Sequence, residues 1–365
     1  MFRFSIAVLL LLMIMPVLAS AQRPLPRALY IIQPGPEVPG FPEHAGSLEL
    51  IYNNNGSRQA FVNFLRREYN DYDVQYTCVY LMVETSHLAN KSYRENLAGL
   101  LRFFRKNGVN RVEAMYYPSG RDHSDAGGAA AFAEAVRMFN GMSATADNQP
   151  DRVNPPDGAG QRVHTASKDD ARFDALHFYL MPNRYETFRS FENRHSRANQ
   201  ELFDHILGEM KQAREAAGNM QVVVTVDADS FFGVGETIVY STGMSFGISI
   251  SSMADKVSVM NYRDFATGTR RAGDGSQTAG LLLNIRPVLH VLGRDNIRAD
   301  MVVNAAPYRH PRYGNKSGFS SIPGYRDGRS GRRDLNRQLR RTERYLTTSE
   351  RTLLDHISVF YYGAW

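Results

Sequence analysis

The stretch FDALHFYLMP, Phe173 to Pro182, decides how the chain is read. Alternation with a period of two puts Ala175, His177, Tyr179 and Met181 on one side of a strand and Leu176, Phe178 and Leu180 on the other. Leu and Phe suit a layer of covering helices, so the side bearing His and Tyr faces the interior of a sheet that is buried on both faces.

Working outward, short β-branched or aromatic runs alternate with longer helical patterns, as β/α units require. The candidate strands are Leu48–Tyr52, Gln75–Val83, Arg111–Tyr117, Ala175–Met181, Gln221–Asp227, Lys256–Tyr262, Ala299–Ala305 and His356–Tyr362. Helical patterns fall at Arg58–Tyr69, Tyr93–Lys106, Ala129–Phe139, Gln200–Ala217, Ala279–Leu292 and Asp334–Tyr345. Gly108 and Gly218 follow two of them, where a left-handed residue ends a helix. Eight strands close a (β/α)8 TIM barrel, here a single domain over residues 48–365. The chain stops just after the eighth strand, so the expectation is a barrel lacking its final covering helix. The Pro-rich stretch 22–47 is read as an N-terminal extension packed there or beneath the barrel. Ala144–Lys168, rich in Asp, Asn, Pro and Gly, reads as a long loop.

Residues 1–21 have the form of a secretory signal. Arg3 precedes the apolar run Ile6–Val17, which is shorter than the roughly 20 residues that span a bilayer, and Ala19-Ser20-Ala21 offers a cleavage site. The expectation is a secreted protein, cleaved near Ala21, with no stable membrane insertion. Cys78 is the one cysteine, so no internal disulfide forms; its neighbours Thr77, Val79 and Tyr80 supply no base to activate a thiol.

The net charge of +6 is modest for 365 residues, but Arg326, Arg329, Arg332, Arg333, Arg337, Arg340, Arg341 and Arg344 crowd one segment. That crowding is either a solvated helix, offset by Asp334, Glu343 and Glu350, or a surface for an anionic partner. No glycine-rich phosphate motif is present, so no cofactor is expected. Asp122, His123, Asp125 and His310 lie in loops without the helical spacing that fixes metal ligands, so no metal site is expected.

In a barrel of this kind the working residues close the strands at their carboxyl ends. Here those positions hold Asn53, Asn54, Glu84, Tyr117, Met181, Asp227, Asp229, Tyr262, Arg263, Asp264, Tyr308, Tyr362 and Trp365. Candidate ligand-binding residues are Tyr117, Tyr262, Arg263, Tyr308, Tyr362 and Trp365; aromatic faces stack on sugar rings.

Strand four resembles, in frame, the D-x-x-D-x-D-x-E motif of the chitinase-like clan of glycoside hydrolases, family eighteen in type. The frame reads Asp174, His177, Tyr179 and Met181 here. ADKVSVMNYRD, Ala254–Asp264, is similar to that clan's sixth strand with its Met-x-Tyr ending, VTVDADSFF, Val224–Phe232, to its fifth, and HISVFYYGAW, His356–Trp365, to its last. The resemblance implies that Tyr262 supports a sugar near the scissile bond and that Trp365 floors the central subsite. It also implies a degenerate active site, because Met181 stands where the general acid would be and Tyr179 where the middle Asp would steady the substrate's acetamido group.

Glycoside cleavage needs a proton donor and a second carboxylate about 5 to 9.5 Å away. The leading expectation is therefore a catalytically inactive barrel that binds carbohydrate or a protein partner, with no nucleic acid expected. Two alternatives stand beside it: an active hydrolase using relocated carboxylates among Glu84, Glu113, Asp227, Asp229 and Asp264, and an interaction protein acting through its Arg-rich surface.

Overall fold

A computed structural model describes residues 23–32, 47–52, 54–117, 128–146, 170–180, 182, 197–232, 245–261, 265–271, 277–304 and 329–360. Eight strands form a closed barrel, β1 (Arg27–Ile31), β2 (Tyr76–Met82), β3 (Arg111–Tyr116), β4 (Ala175–Phe178), β5 (Gln221–Asp227), β6 (Lys256–Met260), β9 (Arg298–Asn304) and β10 (Leu354–Phe360). Every neighbouring pair in it is parallel, and β1 closes against both β2 and β10. Between β6 and β9 a small antiparallel ribbon, β7 (Thr269–Arg271) and β8 (Gln277–Ala279), stands apart from the barrel.

The eight-strand count holds, but its first member moves. Leu48–Tyr52 does not form a strand: Ser47–Ile51 is a short helix, α1, that buries Leu50 and Ile51. The first strand is RALYI, inside the stretch read as an extension, and all five of its residues are buried. The barrel therefore begins at Arg27. A five-residue apolar run such as LELIY carries too few periods to separate a buried helix turn from a strand. RALYI, buried on both faces, shows no alternation to reveal it.

Six helices lie close to their sequence patterns, α2 (Asn55–Tyr72), α4 (Lys91–Lys106), α5 (Gly128–Ala146), α6 (Arg197–Ala217), α9 (Leu281–Arg294) and α10 (Arg329–Tyr345), and four short ones that no pattern marked stand between them, α3 (Thr85–Leu88), α7 (Asp229–Phe232), α8 (Phe246–Ser251) and α11 (Thr348–Leu353). Their ends follow from local chemistry. The side chains of Asn54 and Asn90 accept from the backbone N–H of Ser57 and Tyr93, and Thr347 with Glu350 forms a reciprocal capping box. Gly108 and Gly218 follow α4 and α6 with φ of 88° and 59°. Of the stretch read as a long loop, 144–146 continues α5 and 147–168 lies outside the described residues.

The alternation of the strands sorts the interior into two environments. Outward side chains such as Leu29, Val79, Val112, Leu176, Phe178, Val224, Val257, Met301 and Val359 join Phe104, Phe132, Phe203, Ile285 and Leu339 of the helices in one apolar layer. Each large side chain buried there stabilises by about 1.5–3 kcal/mol. Inward side chains form a second, smaller apolar cluster and a set of polar and charged contacts, which constitute the candidate site.

Candidate functional site

The lower inward layer is ionic. Lys256 opens β6 and its Nζ lies 2.9 Å from Glu113 Oε1 on β3 and 2.8 Å from Asp300 Oδ2 on β9. Arg111 approaches the same Glu113 oxygen at 2.6 Å, and His177 Nδ1 lies 2.8 Å from Glu113 Oε2. Tyr80 donates a short hydrogen bond to Asp300, and the backbone N–H of His356 donates to Asp300 at 3.0 Å. Glu113, His177, Asp300, Tyr80 and Tyr30 are fully buried, and Lys256 is 1% exposed.

The charge states follow from these contacts. Burial, the largest influence, pushes the Glu113 and Asp300 carboxyls upward, but Lys256, joined by Arg111 and His177 at Glu113 and by His356 at Asp300, holds both below the ordinary range. Burial disfavours the Lys256 ammonium, yet the two carboxylates outweigh it and raise its pKa. For His177 burial prevails and lowers the pKa, leaving a neutral ring. A neutral ring whose Nδ1–H donates to Glu113 must accept at Nε2, and Thr225 Oγ1 lies 2.6 Å from that atom. Tyr30 and Tyr80 are driven upward chiefly by burial and stay protonated. The layer is thus ionised and interlocked, with two carboxylates that hold no proton to give. Cys78 points into the same layer, its thiol raised well above the usual range by burial, as befits a packing residue.

Above it, toward the carboxyl ends of the strands, the inward layer is aromatic and apolar. Tyr179 faces inward, as its alternation requires, with its ring 4.8 Å from Tyr117 and 6.0 Å from Phe360. Met82, Met115, Met260, Val302 and Ile32 complete this cluster. Asp227 closes β5 on the inner side and is 4% exposed; its backbone carbonyl accepts from Ser230 Oγ at 2.6 Å, fixing the turn into α7. Asn261 follows β6 but is committed to the scaffold, donating to the Leu281 carbonyl at 2.9 Å and accepting from Asn284 at 3.0 Å.

The remaining acids read from the sequence are dispersed. Glu84 sits at the N-cap of α3, its carboxylate 40% exposed and 3.4 Å from His87 Nδ1. Glu113 belongs to the ionic layer, not the mouth. Asp174, read from the sequence as the first position of the strand-four frame, is a strap at the opposite end: its Oδ2 accepts from Arg105 and from the Val112 N–H, both at 2.6 Å. Asp229 opens α7, but its side chain lies outside the described residues, as do Met181, Tyr262, Arg263, Asp264, Tyr308, Tyr362 and Trp365. Asp122, His123, Asp125 and His310 fall outside them too. Among the described residues no group of three or more His, Cys, Asp or Glu is placed to hold a metal ion, and no helix is long and apolar enough to cross a membrane.

Sequence reasoning missed Lys256, Asp300 and Thr225. The signal was present in part: KVSVM alternates Lys256 and Ser258 with Val257 and Val259, the pattern that exposed strand four. What it lacked was a partner for the lysine, supplied only by strands distant in sequence.

No protein-family model matches the chain, and no curated protein matches it. Solved structures similar in outline include a thermostable mutant xylanase from Cellvibrio japonicus, with 12% identity, TM-score 0.41 and coverage of 93% of this chain and 86% of that one. A xylanase and α-amylase inhibitor protein in complex with trehalose has 11% identity, TM-score 0.37 and 92% coverage of each chain. The spore cortex-lytic enzyme SleL from Bacillus megaterium has 12% identity, TM-score 0.41 and coverage of 95% and 72%. Likenesses this distant say nothing of substrate or site, and the barrel rests on its own strand pairing.

Proposed function

We propose that the protein is an exported glycoside hydrolase-like barrel that binds a carbohydrate at its mouth without cleaving it by the chitinase-like route. The observation that carries this reading is the division of the barrel interior. Tyr117, Tyr179 and Phe360 cluster toward the carboxyl ends of the strands, the end at which a sugar would enter, and the acids beneath them, Glu113 and Asp300, pair with Lys256. A general acid must be protonated near the working pH, which calls for a carboxyl pushed upward. These two are pushed the other way.

Tyr179 occupies the frame position of the residue that would orient the acetamido group, and it offers a ring face and one hydroxyl in place of a charge. The same reading gives Tyr262 and Trp365 roles as sugar platforms and Met181 the role of a lost acid. The leader-like residues 1–21 support export.

The test pairs calorimetric titration with neutral oligosaccharides of chitin and glucan type against turnover assays on the same sugars and on aryl glycosides. Saturable binding without turnover is the expected result. Turnover abolished by Asp227→Asn or Glu84→Gln would replace this reading with that of a working hydrolase using relocated acids.

A further inference from the structure

Helix α10 divides its arginines by direction. Arg332 turns inward, 3.7 Å from Glu68 Oε1 on α2, and Arg340 donates to the carbonyl of Tyr72 at the end of that helix. Asn336 donates to Glu68 at 3.2 Å, so α2 and α10 run side by side in a fixed register, 68 against 336 and 72 against 340. Arg333, Arg337, Arg341 and Arg344 are exposed. Steps of four, four and three residues place those four on one face. At 1.5 Å per residue the row extends about 16 Å along the outer wall of the barrel.

Little on the helix neutralises this row. Its two acids are Asp334, paired with Arg337, and Glu343, which turns inward to Arg27 at 2.6 Å and to the Leu25 N–H at 3.2 Å. A helix that merely needed to be solvated would gain from i, i+4 pairs of opposite sign. Here like charges repeat at that spacing, an unfavourable arrangement that an anionic partner relieves.

We infer that this row, Arg333, Arg337, Arg341 and Arg344, is a docking surface for an acidic polysaccharide, a chain carrying carboxylate groups at regular intervals. The choice of a glycan rests on the reading of the barrel as a carbohydrate binder; the charge of the partner rests on the row alone. A lipid surface is disfavoured because a membrane-seeking helix presents apolar side chains beside its cations, whereas Leu335, Leu339 and Leu346 are buried against the barrel. Single-stranded nucleic acid is disfavoured because its binders combine a basic groove with several stacking rings. Among the described residues of its helix this row has one exposed aromatic, Tyr345. Guanidinium forks donate to both oxygens of a carboxylate at once, so a file of them fits a file of uronate groups.

The test uses the full chain and polygalacturonate, with neutral dextran as control, a duplex DNA of similar charge, and vesicles containing phosphatidylserine. Polygalacturonate is expected to bind, with an affinity that falls at least tenfold between 50 and 200 mM salt, as the release of several counterions requires. Replacing all four arginines by glutamine should weaken that binding at least thirtyfold and leave the melting temperature within about 2 °C, because the side chains are exposed and glutamine is a comparable helix former. Lysine replacements, which keep the charge and lose the fork, should retain only part of it. Polygalacturonate affinity unaltered in the glutamine variant overturns the proposal, and so does binding to DNA or vesicles without polygalacturonate. Neutral sugars bound without polygalacturonate would sink the row and leave the mouth standing. Polygalacturonate lost only in the arginine variant, with no neutral sugar bound, would do the reverse.

Discussion

Replacing Lys256 by Met tests the ionic layer most directly, since it removes the one ammonium shared by two buried carboxylates and keeps the volume. At an effective dielectric of 20, attraction at the observed 2.9 and 2.8 Å is worth about 6 kcal/mol per pair before desolvation. Desolvation of the ions offsets much of that, and breaking a buried pair typically costs about 3–5 kcal/mol. This is a large share of the roughly 5–15 kcal/mol by which domains are stable.

The cost should depend on pH. With Lys256 present, Glu113 and Asp300 lie below their unfolded values, so their contribution is present above about pH 4 and is lost as pH falls through their folded values. In the variant Arg111 still serves Glu113, whereas Asp300 keeps only Tyr80, His356 and, at 3.5 Å, Ser258 Oγ and should rise above its unfolded value of about 4. A raised carboxyl penalises the fold as pH climbs through its folded pKa. The gap between the two proteins should therefore be widest near pH 8 and narrow toward pH 4.5, as measured by urea denaturation at both. A gap below about 1 kcal/mol at pH 8, or one independent of pH, would refute the assignment of an ionised layer pinned by Lys256.

Three further outcomes follow from the geometry. Tyr179→Ala and Tyr117→Ala should each weaken neutral glycan binding by about 1–3 kcal/mol, the scale of removing a large buried face; wild-type affinity in both by calorimetry would remove the aromatic mouth from the proposed site. Asp174→Ala breaks the strap to Arg105 and the Val112 N–H and should lower unfolding stability by about 2–3 kcal/mol; a loss under 0.5 kcal/mol would make the strap incidental. A chain begun at Leu48 lacks β1, which pairs with both β2 and β10, and should show no cooperative unfolding transition. Full retention of the melting profile would restore the reading of residues 22–47 as an extension outside the barrel.

Much of the architecture was legible because it is written locally. The alternation of Leu176, Phe178 and Leu180 with His177 and Tyr179 fixed both the existence of β4 and which face turns inward. Helical periods with Gly108 and Gly218 behind them marked α4 and α6 near their true ends. Strand one was not legible, since RALYI is buried throughout and shows no period, while LELIY looked strand-like and is a helix turn.

The site divides in the same way. By itself the sequence determined that strand four carries His177 and Tyr179 on its inward face, because that is a question of residue identity and alternation. Only the tertiary structure decided that Glu113 and Lys256 meet inside the barrel as a buried ion pair. Their meeting depends on a sequence separation of 143 residues being cancelled by closure of the barrel and by the register of β3, β4, β5 and β6. A lysine and a carboxylate far apart along the chain have charge but no address. Barrel closure brings them within 3 Å away from water, and that proximity sets their ionisation.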